Sequence, residues 1–281
     1  MTITESLIDA AKKLRDAGVA QPEREAASLL MFTLDRDRTF LFAHSEYMLT
    51  DGELQRHESY LARRSKREPF QHIVGKQEFY GLDFEVSPDV LIPRPETELL
   101  VETVIEFLKE KENARVCEIG TGSGCIVVAV LHGVPEASAV AVDISDKALA
   151  IAQRNAQSNG VTDRIDFQLS DIFADITDQR FDVIVSNPPY IPARDIAGLQ
   201  SEVRDFDPII ALTDGGDGLS IIRRIVADAP RYLKQNGALA MEFGFGQAVE
   251  VAAMFDQQTW NEPLILDDLN GIERVVMDCL K

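Results

Sequence analysis

Val183-Ile184-Val185-Ser186-Asn187-Pro188-Pro189-Tyr190 is the stretch on which the reading of this chain turns. A short apolar run closed by turn formers predicts a buried strand running into a loop. Two consecutive prolines fix two φ angles and remove two N–H donors. The residue before the first proline is driven into an extended conformation. Asn187 is therefore expected to be stiff at the end of a strand, beside the carbonyl of Pro188, with Pro189 and the ring of Tyr190 following. Such a corner offers a planar –NH2 group two acceptors for its hydrogens and a ring face for its plane. The plainer reading, a strand that ends in a proline-rich turn, stays open on these residues alone.

Around this stretch, strand-like and helix-like segments alternate. Strands are predicted at 114–119, 139–144, 165–169, 181–186 and 238–243, with helices at 124–131, 145–159 and 219–233. This alternation predicts an α/β domain with a mostly parallel sheet covered on both faces. Two last strands, 264–269 and 274–279, are separated by Asn270-Gly271 with no helix between, which predicts an antiparallel closing hairpin.

Glu118-Ile119-Gly120-Thr121-Gly122-Ser123-Gly124 follows the first of these strands and opens a helix. Glycines there let a ligand approach the backbone at a helix N-terminus. A dinucleotide loop would place a further glycine at position 125, which is Cys125, so the pyrophosphate reading is weakened. Asp143, 23 residues after Gly120, ends the second strand, where a carboxylate accepts ribose hydroxyls. Glu118 is expected on the same crevice and suits a cation rather than a phosphate. Together these point to S-adenosylmethionine, a ribose-bearing sulfonium without phosphates. Asp171, with Ile172 after it, ends the third strand and is a candidate acceptor for an adenine amino group.

The N-terminal part reads differently. Ile3, Leu7, Ile8, Ala11 and Leu14 recur at helical spacing, Pro22 opens a second helix, and Thr50-Asp51-Gly52-Glu53 has capping-box spacing. Residues 1–68 are expected to form a helical substrate-recognition domain, since no catalytic constellation appears in them. Residues 69–92 read as a connector of short strands, including His72-Ile73-Val74 and a β-hairpin, and 93–281 as the catalytic domain. Pro93-Arg94-Pro95-Glu96-Thr97-Glu98 is either a rigid linker or a wall of the active site. Arg63-Arg64-Ser65-Lys66-Arg67 is either a solvated helix end or a contact for RNA or an acidic partner.

Composition bounds the function. The 281 residues carry a net charge of −19, of which residues 1–92 hold only −4. A grip on a nucleic-acid backbone needs a basic face, so DNA is not the expected partner; the acid serves solubility or a basic macromolecule. Three cysteines without C-x-x-C spacing argue for a reducing cytoplasm and against a disulfide framework or a zinc site, and no metal is expected. Apolar runs are too short to span a membrane, and the N-terminus lacks the order of a secretory signal.

At this point a resemblance can be stated. Glu118–Gly124, Asp143, Asp171 and Asn187-Pro188-Pro189-Tyr190 resemble a class I S-adenosylmethionine-dependent methyltransferase, Rossmann-like, acting on an amide or exocyclic amine. Gly75, Phe79-Tyr80-Gly81, Phe84, Val86, Pro88, Leu91–Glu98 and Gly216-Asp217-Gly218-Leu219 are similar to the peptide-chain release factor glutamine N5-methyltransferase family (PrmC/HemK), over nearly the whole chain. Departures are Glu118 for a frequent Asp, Asp207-Pro208 for Glu-Pro, and Ile172 where an aromatic is common. The resemblance implies methylation of the glutamine in the Gly-Gly-Gln motif of class-1 release factors by a cytoplasmic monomer. Asn187 and Pro188 would hold the substrate amide, and Tyr190 would pack on it. The rivals are a DNA adenine-N6 methyltransferase, which shares the Asn/Asp-Pro-Pro-Tyr ending, and a non-catalytic scaffold.

Overall fold

The strand that ends at Ser186 occupies the middle of a seven-stranded sheet in a computed structural model describing residues 1–281. Contacts divide the chain into two units: Met1–Gly75 with Gln200–Phe206, and Lys76–Leu199 with Asp207–Lys281.

The first unit is built from helices α1 (Ile3–Asp16), α2 (Pro22–Leu34), α3 (Arg38–Ala43), α4 (Asp51–Arg64) and α5 (Phe70–Val74). Capping boxes start α1 and α4: the Thr2 and Thr50 hydroxyls accept from the amides of Glu5 and Glu53, whose carboxylates accept from the Thr amides in return. Ala10, Leu14, Ala26, Leu29, Leu61 and Ile73 form one of its cores. His72-Ile73-Val74, expected as a strand, is the end of α5. Pro69 precedes the helix, Gly75 ends it at φ +73°, and Phe70 and Ile73 face the helical core, so burial overrides β-propensity. The unit thus runs seven residues past the expected boundary at 68 and takes in a distant segment. The basic run explains that segment. Arg64 pairs with Glu25 and Glu202, Arg67 chelates Glu202 at 2.6 and 2.8 Å, and Arg63 pairs with Glu68. Three of its four cations are therefore engaged inside the protein, and Glu202 fastens 200–206 to α4.

The second unit begins with the antiparallel hairpin β1 (Lys76–Phe79) and β2 (Leu82–Glu85). Then follow α6 (Glu98–Leu108), β3 (Arg115–Ile119), α7 (Cys125–Gly133), β4 (Ser138–Asp143), α8 (Asp146–Ser158), β5 (Ile165–Leu169) and β6 (Phe181–Ser186). Short helix α9 (Ser201–Arg204) belongs to the first unit; α10 (Ile209–Leu212), α11 (Ser220–Asp228), β7 (Leu233–Glu242), α12 (Ala248–Ala252), β8 (Leu264–Asp267) and β9 (Glu273–Cys279) complete the second. Sheet order is β5-β4-β3-β6-β7-β9-β8, parallel through β7 and antiparallel at β9 and β8, as the sequence predicts. Helix 219–233 is shorter than expected because Pro230 turns its end into a 3-10 turn and Leu233 already pairs with Phe181.

Strand alternation assigns each side chain to a face. Val116, Ala139, Ala141, Val183, Val185, Ala238 and Ala240 pack under α6 and α7, while Cys117, Val140, Ile184, Leu239 and Met241 pack against α11 and α12. By the same alternation Glu118 and Glu242 fall on the α6–α7 face, at the carboxyl ends of their strands. Cys117 and Cys125 are buried in these cores. No helix is long and apolar enough to cross a membrane.

Candidate active site

The carboxyl ends of β3, β4 and β6 and the turn after β5 open on a cavity of about 370 Å³, within the range of small-ligand sites. Its wall is drawn from 89–97, Gly120–Ser123, Asp143–Ser145, Ser170–Ile172, Ser186–Pro189 and 208–214. The Pro93–Thr97 segment is thus a wall of the site rather than a bare linker.

The loop after β3 has its shape fixed by backbone chemistry. Gly120, Gly122 and Gly124 sit at φ +71°, +56° and +79°, a region that penalises any Cβ. The amides of Gly120 and Thr121 both donate to the Val142 carbonyl at 2.9 Å. Gly124 does not line the cavity. A Cβ there would meet Ala152 at 3.1 Å, so this glycine lets α7 approach α8. Asp143 accepts from the Gly122 amide and from the Ser145 amide, each at 2.9 Å, and burial raises its pKa. Its carboxylate lies on the cavity wall, where sequence puts it.

Glu118 lies elsewhere. Expected on the crevice, it is 1% exposed, buried beneath the loop with the Thr121 hydroxyl donating to Oε2 and no partner for Oε1. Burial pushes its carboxyl up to about 8, the Thr121 bond only partly offsetting that. A group of that kind is mostly neutral at pH 7 and supports the loop instead of presenting a charge. Asp171 is on the cavity rim, paired with Arg224 at 2.8 Å and about half exposed. Ile172, at φ +57°, turns its side chain into the buried wall, and the Ser170 hydroxyl bridges the turn by donating to the Ile172 carbonyl.

The corner after β6 is held from outside itself. Ser186 donates to the Ile119 carbonyl at 2.8 Å, locking β6 to β3. Asn187 Nδ2 donates to Thr97 Oγ1 at 3.1 Å, and Asn187, Pro188 and Pro189 all face the cavity. Thr97 donates to Glu242 Oε2 at 2.6 Å, and the Tyr190 hydroxyl donates to Glu242 Oε1 at 2.9 Å. Burial raises Glu242's pKa, while the two hydroxyls and Arg274 pull it back; burial also drives the Tyr190 phenol well above its usual range. Tyr190 itself is not on the cavity wall, so its ring braces the corner instead of covering a ligand plane there. Gly218 and Gly244 make room for it. A Cβ on Gly218, at φ +79°, would lie 2.2 Å from the Tyr190 carbonyl oxygen, and one on Gly244 would lie 3.1 Å from the ring.

Sequence alone missed Thr97, the partner of Asn187, and Glu242 behind it. Their signals were a threonine inside the flagged Pro93–Glu98 segment and a lone acid ending an apolar strand. It also missed the Arg94–Asp207 ion pair at 2.6 Å, which ties that wall to the chain ahead of α10. Asp214, whose carboxylate accepts from the amides of Gly216, Gly218 and Ser220 and from the Ser220 hydroxyl, organises the Gly216–Leu219 turn. Burial opposes its charge, yet those donors hold its pKa at about 2.

Comparison with known proteins agrees with this geometry. Residues 5–75 match the PrmC N-terminal domain family, and residues 95–248 match the methyltransferase small domain family. A release factor glutamine methyltransferase of Geobacter sulfurreducens is 45% identical over 263 residues, 94% of this chain and 91% of the relative. One from Koribacter versatilis is 41% identical over 278 residues, 99% of this chain and 98% of the relative. Among solved structures, a methyltransferase from Pyrococcus furiosus superposes with a TM-score of 0.52 at 16% identity, covering 78% of this chain and 98% of that one. That likeness supports the fold.

Proposed function

The chain belongs to the release factor glutamine methyltransferase family, and from that premise we propose that it methylates the side-chain amide nitrogen of the glutamine in the Gly-Gly-Gln motif of class-1 peptide-chain release factors, with S-adenosylmethionine as methyl donor. The donor's fit rests on the cavity: a glycine bend at the start of α7, Asp143 on the wall to accept ribose hydroxyls, and a largely apolar lining from Val90, Leu91, Ile144 and Ile172 for an adenine ring. No lysine lines the cavity, and its arginines, Arg94 and Arg224, are paired with Asp207 and Asp171. That arrangement suits an uncharged nucleoside end better than a phosphate chain. When bound, the donor supplies an electrophilic methyl group on a sulfonium.

The chain's own residues handle the amide. Its nitrogen is a poor nucleophile because the lone pair is delocalised into the carbonyl, the resonance that also flattens peptide bonds. Asn187 Oδ1 and the Pro188 carbonyl would accept the two N–H bonds of the substrate and turn the nitrogen toward the methyl carbon. Both acceptors favour positive charge as it develops on nitrogen. The amide nitrogen held at Asn187 and Pro188 would take the methyl carbon from the donor held by the glycine bend and Asp143, and then give up a proton to water. No histidine lines the cavity, so positioning and charge stabilisation carry the rate.

The single observation behind this reading is that Asn187 and Pro188 share one cavity with the glycine loop and Asp143. The test is methyl transfer from labelled donor to a purified class-1 release factor. Asn187→Ala is expected to lower kcat by about 10³-fold while donor affinity stays within a few-fold. Wild-type turnover in that variant, or methyl transfer to duplex DNA instead of release factor, would overturn the assignment.

A further inference from the structure

A carboxamide presents two faces of nearly equal shape, one accepting and one donating, and only the accepting face of Asn187 serves an amide substrate. Prolines fix the backbone here but leave that choice open. The hydrogen-bond chain behind the corner decides it. Glu242 is 1% exposed, and each of its oxygens receives a hydroxyl proton, from Thr97 at 2.6 Å and from Tyr190 at 2.9 Å. Glu242 thus accepts at both oxygens. The one hydroxyl proton of Thr97 is thereby committed to Glu242, and what Thr97 Oγ1 has left to offer Asn187 is a lone pair. Only the Nδ2 end of Asn187 answers a lone pair, which is the 3.1 Å contact found. Oδ1 is then turned to the other side.

We propose that Thr97, with its proton drawn to Glu242, is a positioning residue that sets the flip state of the Asn187 carboxamide, so that Oδ1 and not Nδ2 meets the substrate –NH2. This rests on the reading of Asn187 as the amide acceptor. Thr97 is suited to the task. It is 2% exposed, at the end of a 3-10 turn opened by Pro95, and Arg94 just before it is anchored on Asp207 at 2.6 Å. Glu242 ends β7, next to β6 in the sheet, where Ser186 pairs with Met241. Its height in the sheet therefore matches that of Asn187. In the inverted state an N–H of Asn187 would face an N–H of the substrate, leaving a desolvated donor without an acceptor.

Three variants test it. Thr97→Val keeps the shape and removes both the lone pair and the proton; Thr97→Ser keeps them. Thr97→Val is expected to lower kcat by about 10²-fold, with KM for release factor and Kd for the donor within about twofold. Thr97→Ser is expected to stay within about threefold of the parent kcat. Asn187→Ala, measured alongside, is expected to show the loss of about 10³-fold in kcat given above. Parent-like kcat in Thr97→Val beside a crippled Asn187→Ala overturns the positioning role and leaves the function standing. An active Asn187→Ala overturns the reading beneath it. A Thr97→Val protein that loses donor affinity and melting temperature along with kcat, or a Thr97→Ser protein as slow as Thr97→Val, shows packing rather than hydrogen-bond direction and equally overturns it.

Discussion

Two loops leave neighbouring strands at the same sheet edge, one after β3 and one after β6, and they keep their shapes by opposite means. After β3, three glycines at positive φ and two amides on the Val142 carbonyl specify the bend, with Asp143 completing it. Nearly every determinant lies within the loop or at the next strand's end. After β6, the prolines stiffen the backbone, but Thr97 and Glu242 set the side chains, Gly218, Gly244 and Gln247 seat Tyr190, and Thr97 is 90 residues away from Asn187. A ligand-gripping bend needs only backbone amides and space, which local sequence supplies. A corner that must choose between two faces of one amide needs oriented partners, and a buried carboxylate shared by two hydroxyls provides them.

The sharpest way to break that contrast is a pair of glycine substitutions. Gly218→Ala puts a Cβ 2.2 Å from the Tyr190 carbonyl oxygen, a backbone atom that cannot swing away, and does so at φ +79°. Strain and overpacking together are expected to cost about 2–5 kcal/mol and to abolish methyl transfer. Gly120→Ala, at φ +71° with nothing within 4 Å of the added carbon, is expected to cost only about 1–2 kcal/mol of left-handed strain. Urea unfolding of the two variants measures the difference. Equal costs would mean that the β6 corner does not depend on its distant neighbours.

A smaller effect should separate the two loops by function. Asp143 shapes the glycine bend from below and is assigned to the donor's ribose. Asp143→Ala is expected to weaken donor binding by about 10–100-fold, the size of a lost charged hydrogen bond. At saturating donor, kcat should remain within a few-fold. Calorimetric titration with the donor and steady-state assays give both numbers. A variant that binds normally and turns over slowly would move Asp143 to the β6 side of the comparison.

How much of this was legible in sequence follows the same division. The α/β order, the closing hairpin, Gly120–Gly122, Asp143 and the Asn187-Pro188 ending are each spelled by adjacent residues or by strand periodicity, and the structure finds them where expected. Capping boxes at Thr2 and Thr50 are local too. The misreadings arose where tertiary contacts ruled. His72-Ile73-Val74 looks like a strand, yet Phe70 and Ile73 are drawn into the helical core as α5. Glu118 looked like a crevice residue because its neighbours are, but strand alternation turns it under the loop. The coupling of Asn187 to Thr97 and Glu242 spans three separate segments and has no spacing signature. Those residues become partners only when β6, β7 and the turn before α6 are packed together.

Glu118 and Glu242 give the finest form of the comparison: two buried acids on one sheet face, near the ends of β3 and β7, with different partners. Glu242 has a hydroxyl on each oxygen, whereas Glu118 has one oxygen without a partner. Burial lifts the Glu118 carboxyl from 4.5 to about 8, against the pull of the Thr121 hydroxyl. Between those two values the folded protein holds a proton that the unfolded chain has released. Stability is therefore fully present below the unfolded pKa and is lost as pH rises through the folded one. The loss between pH 7 and pH 8 is expected to be about 1 kcal/mol, the smallest of these effects. Glu118→Gln keeps the neutral shape and has nothing to ionise, so its unfolding free energy should be flatter over the same interval. Urea titrations of both proteins at a series of pH values read the two slopes. If they run parallel, Glu118 is charged in the folded state, and the β3 loop would stand on a buried charge instead of a neutral acid.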